Sequence, residues 1–168
     1  MYPTNNNLLG MKKIILISFL SVLFLSCKST NSATSTKIDS QSQTVIKGEW
    51  VISSVNYPGS DVIKVTSFDL ADSKCFIGSK WKFVSMSNKG SLSLNSPNCT
   101  AYTTPITWFI NKEGEFVLKI LDEAKAKTVK SGYVLRVANQ TEKSFQLVDQ
   151  INVAGKMTAV VYQFDKLN

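Results

Sequence analysis

From residue 45 to the end, apolar and polar residues alternate with period two, and that pattern constrains the fold more than any other feature. Ile46, Gly48, Trp50 and Ile52 alternate with Lys47, Glu49 and Val51. Trp81 and Phe83 alternate with Lys80 and Lys82, Leu92 and Leu94 with serines, and Ile106, Trp108 and Ile110 share one face. Phe116, Leu118 and Ile120 follow, then Tyr133, Leu135 and Val137, then Phe145 and Leu147, and last Val160, Tyr162 and Phe164. Successive side chains of a strand point to opposite faces, so each run reads as a strand with one face to bury. Turn chemistry separates the runs: Asn88-Lys89-Gly90, Lys112-Glu113-Gly114, residues 139–142 and Val153-Ala154-Gly155 all read as hairpin connections. Residues 61–65 read as a further short strand or an extension of the first, and residues 67–73 and 122–127 have room for one helical turn each.

About eight strands in sequence-adjacent order must each hide an apolar face. Closing the sheet on itself does this and removes the exposed edges. The chain is therefore expected to be all-β, an eight-stranded antiparallel up-and-down barrel over residues 45–168. A two-sheet β-sandwich is the alternative, because periodicity does not separate the two.

The N-terminal part is of another kind. In residues 11–27, MKKIILISFLSVLFLSC, Lys12 and Lys13 precede an apolar run broken by serines, and small Ser26 stands before Cys27. That order is the plan of a secretory signal peptide, here residues 1–26. The run is shorter than the roughly 20 residues a membrane-spanning helix needs. Phe24-Leu25-Ser26-Cys27 resembles the bacterial lipobox, which implies that Cys27 is lipidated and becomes the first residue of the mature chain. Residues 1–10 carry no charge, so translation is expected to start at Met11, a long n-region being the alternative. Residues 28–44 are almost wholly Ser, Thr, Asn, Gln and Lys, too polar to repay their ordering entropy. Residues 27–44 are thus expected to be a lipidated cysteine and a disordered tether, placing the domain roughly 20–25 Å from the lipid.

Cleavage before Cys27 leaves enough chain for one domain with a real core. The formal net charge of +7 falls to +5 with the loss of Lys12 and Lys13. The lysines are scattered and Arg136 is the single arginine, so no nucleic-acid partner is expected. Of three cysteines, assigning Cys27 to lipid leaves Cys75 and Cys99, which are expected to pair in an oxidising compartment. Closing that loop contributes about 3–4 kcal/mol in the chain-entropy model; two separate buried thiols are the alternative. No metal is expected, since two thiolates without histidine fall short of a zinc ligand set. The chain contains no histidine, which removes Ser-His-Asp and Cys-His constellations. The carboxylate pairs Asp69/Asp72, Glu113/Glu115 and Asp122/Glu123 fall in turn-like segments and read as solvated charges. With no Gly-rich phosphate loop either, the chain is expected to be neither an enzyme nor a cofactor protein.

Gly48-Glu49-Trp50 on the first strand of a meander resembles the GxW motif of the lipocalins. The fuller series is Cys75, then Trp81-Lys82-Phe83, Cys99, Ile106-Thr107-Trp108 and Val160-Val161-Tyr162-Gln163-Phe164. Together these resemble the small lipocalin-like lipoproteins of Gram-negative bacteria over residues 45–167. A T-D-Y motif is missing, as is the arginine that usually covers the tryptophan, with Lys166 the nearest candidate. The resemblance implies a bend at Gly48 and Trp50 as plug of the closed end. Trp108, Phe116, Tyr133 and Tyr162, mid-strand on the inferred inward faces, are the candidates for lining a cavity. The expected function is that of an outer-membrane-associated lipoprotein, held to the membrane by its N-terminal lipid, whose barrel binds a small apolar ligand. The alternative is an envelope structural or protein-interaction module with a filled barrel and no ligand.

Overall fold

The computed structural model describes residues 40–59, 64–121 and 129–168, and of residues 40–42, 129 and 130 it describes the backbone alone. The signal segment, Cys27, tether residues 28–39, most of segment 61–65 and segment 122–127 lie outside the described residues.

A short helix, α1 (Ser40–Ile46), leads into β1 (Gly48–Asn56). The long connection after β1 carries a small hairpin, β2 (Thr66–Ser67) and β3 (Ala71–Asp72), and a 3-10 turn over Ser73–Phe76. Then come β4 (Lys80–Val84), β5 (Lys89–Leu94), β6 (Tyr102–Ile110), β7 (Glu115–Leu121), β8 (Val129–Ala138), β9 (Ser144–Val153) and β10 (Lys156–Lys166). Eight of these strands form a closed barrel in the order β1-β10-β9-β8-β7-β6-β5-β4, with β1 antiparallel to both β10 and β4. Each other neighbouring pair is a sequence-adjacent antiparallel hairpin, so the sheet is an up-and-down barrel and not a sandwich.

The alternation sets the inner face. Trp50, Ile52, Trp81, Phe83, Leu92 and Leu94 are buried inside, and so are Ile106, Trp108, Ile110, Phe116, Leu118 and Ile120. Leu135, Phe145, Leu147, Val160, Tyr162 and Phe164 complete the core. Two glycines are required by geometry. Gly48 has φ +131°, which side chains rarely adopt, and it sets the entry of β1 below Trp50. At Gly90 a Cβ would run into the carbonyl oxygen of Lys82, so β4 and β5 approach closely there.

Two expectations are corrected: residues 67–73, read as having room for a helical turn, instead form the β2–β3 hairpin and its tight turn. Residues 40–44, read as the end of the tether, and Val45 and Ile46, read as the start of the first strand, together form α1. The helix docks because Ile46 and Gln43 are buried and the Gln43 amide is fully used. Its Nε2 donates to Ser85 O (3.1 Å) and Asn88 Oδ1 (2.6 Å), and its Oε1 accepts from Ile110 N (3.4 Å). A stretch that is polar on average can still order when its one buried amide finds partners.

The helix lies across one end of the barrel, here called the base. The C-terminus is at the same end: Leu167 N donates to Glu49 O (2.9 Å) and Lys166 N to Lys143 O (2.9 Å). The opposite end, the mouth, is covered by the β1–β4 connection. Cys75 in its 3-10 turn is disulfide-bonded to Cys99 in the β5–β6 loop, Cα–Cα 5.8 Å. The expected pairing is present, and it fastens the mouth cover to the barrel rim.

Candidate functional site

The base half of the barrel is filled with rings. Trp50 is fully buried, donates Nε1–H to Ile46 O (2.7 Å) and meets Phe145 edge-on at 4.7 Å. Lys166 Nζ stands 5.4 Å from the Trp50 ring centre, where the resemblance places an arginine. Phe145 stacks on Phe164 at 4.6 Å, Trp108 stacks on Phe116 at 5.6 Å, and Phe83 lies among them. Trp108 Nε1 donates to Lys89 O (3.1 Å). Two of the four expected cavity residues, Trp108 and Phe116, thus sit inside this packed base.

The other two, Tyr133 and Tyr162, belong to the mouth, where the lid inserts a ring between them. Phe68 at the tip of the β2–β3 hairpin lies 5.2 Å from Tyr133, 5.2 Å from Tyr162 and 5.2 Å from Phe76. The tip is a tight turn closed by Leu70 N–H to Ser67 O (3.0 Å). Both central residues have left-handed backbone, Phe68 at φ 55° and Asp69 at φ 50°. Aspartate tolerates that region, but a bulky aromatic residue there is an outlier that costs roughly 1–2 kcal/mol. Such strain persists where surrounding contacts hold it, and it concentrates at ligand clamps and switch regions. Here the contacts are those of the inserted ring and of its neighbours: Ser67 Oγ bonds Tyr162 OH at 2.5 Å, and Tyr133 OH donates to Asp69 Oδ2 at 2.8 Å. Tyr57 and Ser73 pair their hydroxyls next to this group.

The mouth half also holds polar groups that face inward. Asp149 follows Phe145 and Leu147 on the inner face of β9, and its cross-strand partner on β10 is the buried Val160. Half-burial raises the Asp149 carboxyl above the ordinary carboxylate range, and a hydrogen bond from Gln150 N–H offsets this in part. Burial also pushes the Tyr133 phenol up to about 12 and the Tyr162 phenol further, with the Asp149 charge adding to both. Ser131, next on the inner face of β8, has a buried Oγ beside the Tyr133 hydroxyl.

The β8–β9 seam runs beside this group. Both strands are ten residues long, yet they pair through three positions, Arg136↔Val148, Val137↔Leu147 and Ala138↔Gln146. Above Arg136 and Val148 the strands part, and Asp149 stands where the ladder ends. Leu147 within the ladder and Leu135 just past its end are buried, whereas Ser131, Tyr133, Asp149 and Ile151 farther toward the mouth are half-exposed. Two open clefts flank the lid. One of about 420 Å³ is lined by Asp69, Leu70, Cys75, Leu94, Cys99 and Tyr102 among others. One of about 360 Å³ lies against Pro58, Gln150, Met157 and Thr158.

Among the described residues no three Cys, Asp or Glu side chains come together as a metal site. No family model, no curated protein and no solved structure matches the chain. Cys27 lies outside the described residues. Sequence reasoning missed Phe68 and Asp149. Phe68 sits in a turn-like stretch with no periodicity to place it. Asp149 was legible as the next inward position after Phe145 and Leu147, had the alternation been carried past the last apolar residue.

Proposed function

We propose that this is a lipid-anchored, outer-membrane-associated lipocalin-like protein that binds a small, largely apolar molecule in the mouth half of its barrel. The observation that supports the reading is Phe68. A strained turn holds its ring among Tyr133, Tyr162 and Phe76, an apolar place with hydroxyls and a carboxylate at its edge. Ligand sites are commonly apolar with a few convergent polar groups, and a covalently fastened lid can withdraw a ring without unfolding the barrel. The role is binding, with no group assigned to catalysis. Anchoring rests on the lipobox-like junction at Cys27, since multiple acyl chains hold where one chain is marginal.

Native mass spectrometry of the full-length protein, extracted from its own envelope in neutral detergent, tests both parts. The expected result is a diacyl-type mass increment at Cys27 plus a non-covalent adduct that is lost on denaturation. Cys27→Ala should abolish the increment and leave the protein in the aqueous phase on detergent partitioning. A bare protein that takes up no apolar probe would move the assignment to the second reading, an envelope structural or protein-interaction module. That reading is favoured by the ring ladder from Trp50 to Phe83, which fills the base.

A further inference from the structure

We propose that the mouth site takes a small organic ammonium ion, with its charged head on Asp149 and its apolar body against the Phe68, Tyr133 and Tyr162 rings. The inference rests on the ligand-binding reading above and names the class of ligand. Asp149 is an inward-facing carboxylate at the point where the β8–β9 ladder ends, so it can be reached through the open seam while its surroundings stay apolar. A partly buried carboxylate is costly unless paired, and the ion pairs of the described residues lie elsewhere on the surface, at Lys82–Glu49 and Lys112–Glu113. Among the described residues neither pair includes Asp149, and an ammonium ion is the partner that its chemistry suits.

The neighbouring groups fit the same occupant. The Tyr133 and Tyr162 ring centroids each stand 5.2 Å from that of Phe68, and aromatic faces beside a carboxylate are the usual recognition of alkylammonium groups. The buried Ser131 Oγ, beside the Tyr133 hydroxyl, adds an oxygen that an N–H donor can use. An anionic ligand would meet Asp149 and Asp69, and a neutral one would leave Asp149 unpaired.

Calorimetric titration of the full-length protein in neutral maltoside micelles, with phenethylamine, phenethyl alcohol and 3-phenylpropionate, tests this. The amine is expected to bind about tenfold more tightly than the alcohol, with the acid weakest. Asp149→Asn should erase the preference for the amine while leaving alcohol binding within about twofold. Equal affinities for amine and alcohol, or a preference that survives Asp149→Asn, overturns the inference while alcohol binding keeps the carrier reading. Should the Asn variant lose the alcohol as well, Asp149→Glu decides: a retained preference supports the charge, and a lost one overturns it. A wild-type protein that binds none of the three overturns both readings.

Discussion

At its base the barrel is closed by a seven-residue helix laid across a ladder of packed rings, whereas at its mouth it is closed by a hairpin that holds Phe68 in left-handed backbone. The base joins residues whose local preferences agree with their packing. Rings alternate inward on regular strands, and the polar atoms of Trp50 and Gln43 are all bonded. The mouth joins residues whose preferences conflict with it: a strained phenylalanine, an inward carboxylate, a buried serine hydroxyl and two strands that part. Conflicts of that kind gather where a protein works and agreement gathers where it is merely held together.

The largest effect is expected at the base. Trp50→Ala should cost about 3–5 kcal/mol in chemical denaturation, because a fully buried indole leaves a cavity among rings that cannot collapse. The Ile46 carbonyl would also lose its donor. Next comes the double change Cys75→Ser and Cys99→Ser, at about 3 kcal/mol. Its signature should be local, with hydrogen exchange faster over residues 64–79 than over β9 and β10. If exchange instead rose evenly over the whole barrel, the mouth would be no more separable than the base.

The barrel was legible in the sequence because strand alternation is a local signal, written in runs such as Phe116, Leu118 and Ile120 whose inward faces are now seen buried. Every interior position named from that alternation between Trp50 and Phe164 lies on the inner face, although Tyr133 and Val137 are only half-buried. The cysteine pairing was legible because Cys75 and Cys99 are the two cysteines within the strand-patterned region. What was not legible shares a physical cause. Gln43 docks α1 through partners more than 40 residues away, and Phe68 is fixed by rings on β8 and β10 that no periodicity within the lid announces. The site was therefore half readable. Tyr133 and Tyr162 follow from strand alternation, while the ring between them and the carboxylate beside them come from the lid and from an end of ladder.

Smaller effects sharpen the contrast. Phe68→Ala should cost about 2 kcal/mol, below the usual range for a buried phenylalanine, because the lid can settle and solvent reaches the gap. A cost equal to that of Trp50→Ala would break the distinction between the two ends. Phe68→Gly should be milder than Phe68→Ala by about 0.5–1 kcal/mol, since glycine adopts this backbone without strain. The smallest effect concerns pH. Because the folded Asp149 carboxyl sits above its unfolded value, the native state holds that proton more tightly. Stability from this group is full below the unfolded value and declines as pH rises through the folded one. Asp149→Asn should flatten that decline in melting curves taken upward from the ordinary carboxylate range, and an unchanged slope would mean that the carboxylate is as well hydrated as any on the surface.

The arrangement of the two ends of the described chain has a practical consequence. Ser40 opens the helix at the base, and Leu167 is bonded to Glu49 at that same pole. Whatever is attached beyond either end, whether a surface, a reporter or a second domain, is therefore tied to one pole, and the lid faces the opposite way. The molecule is wired like a lamp on its stand, with both leads of the described chain entering below and the disulfide-fastened cover at the far end.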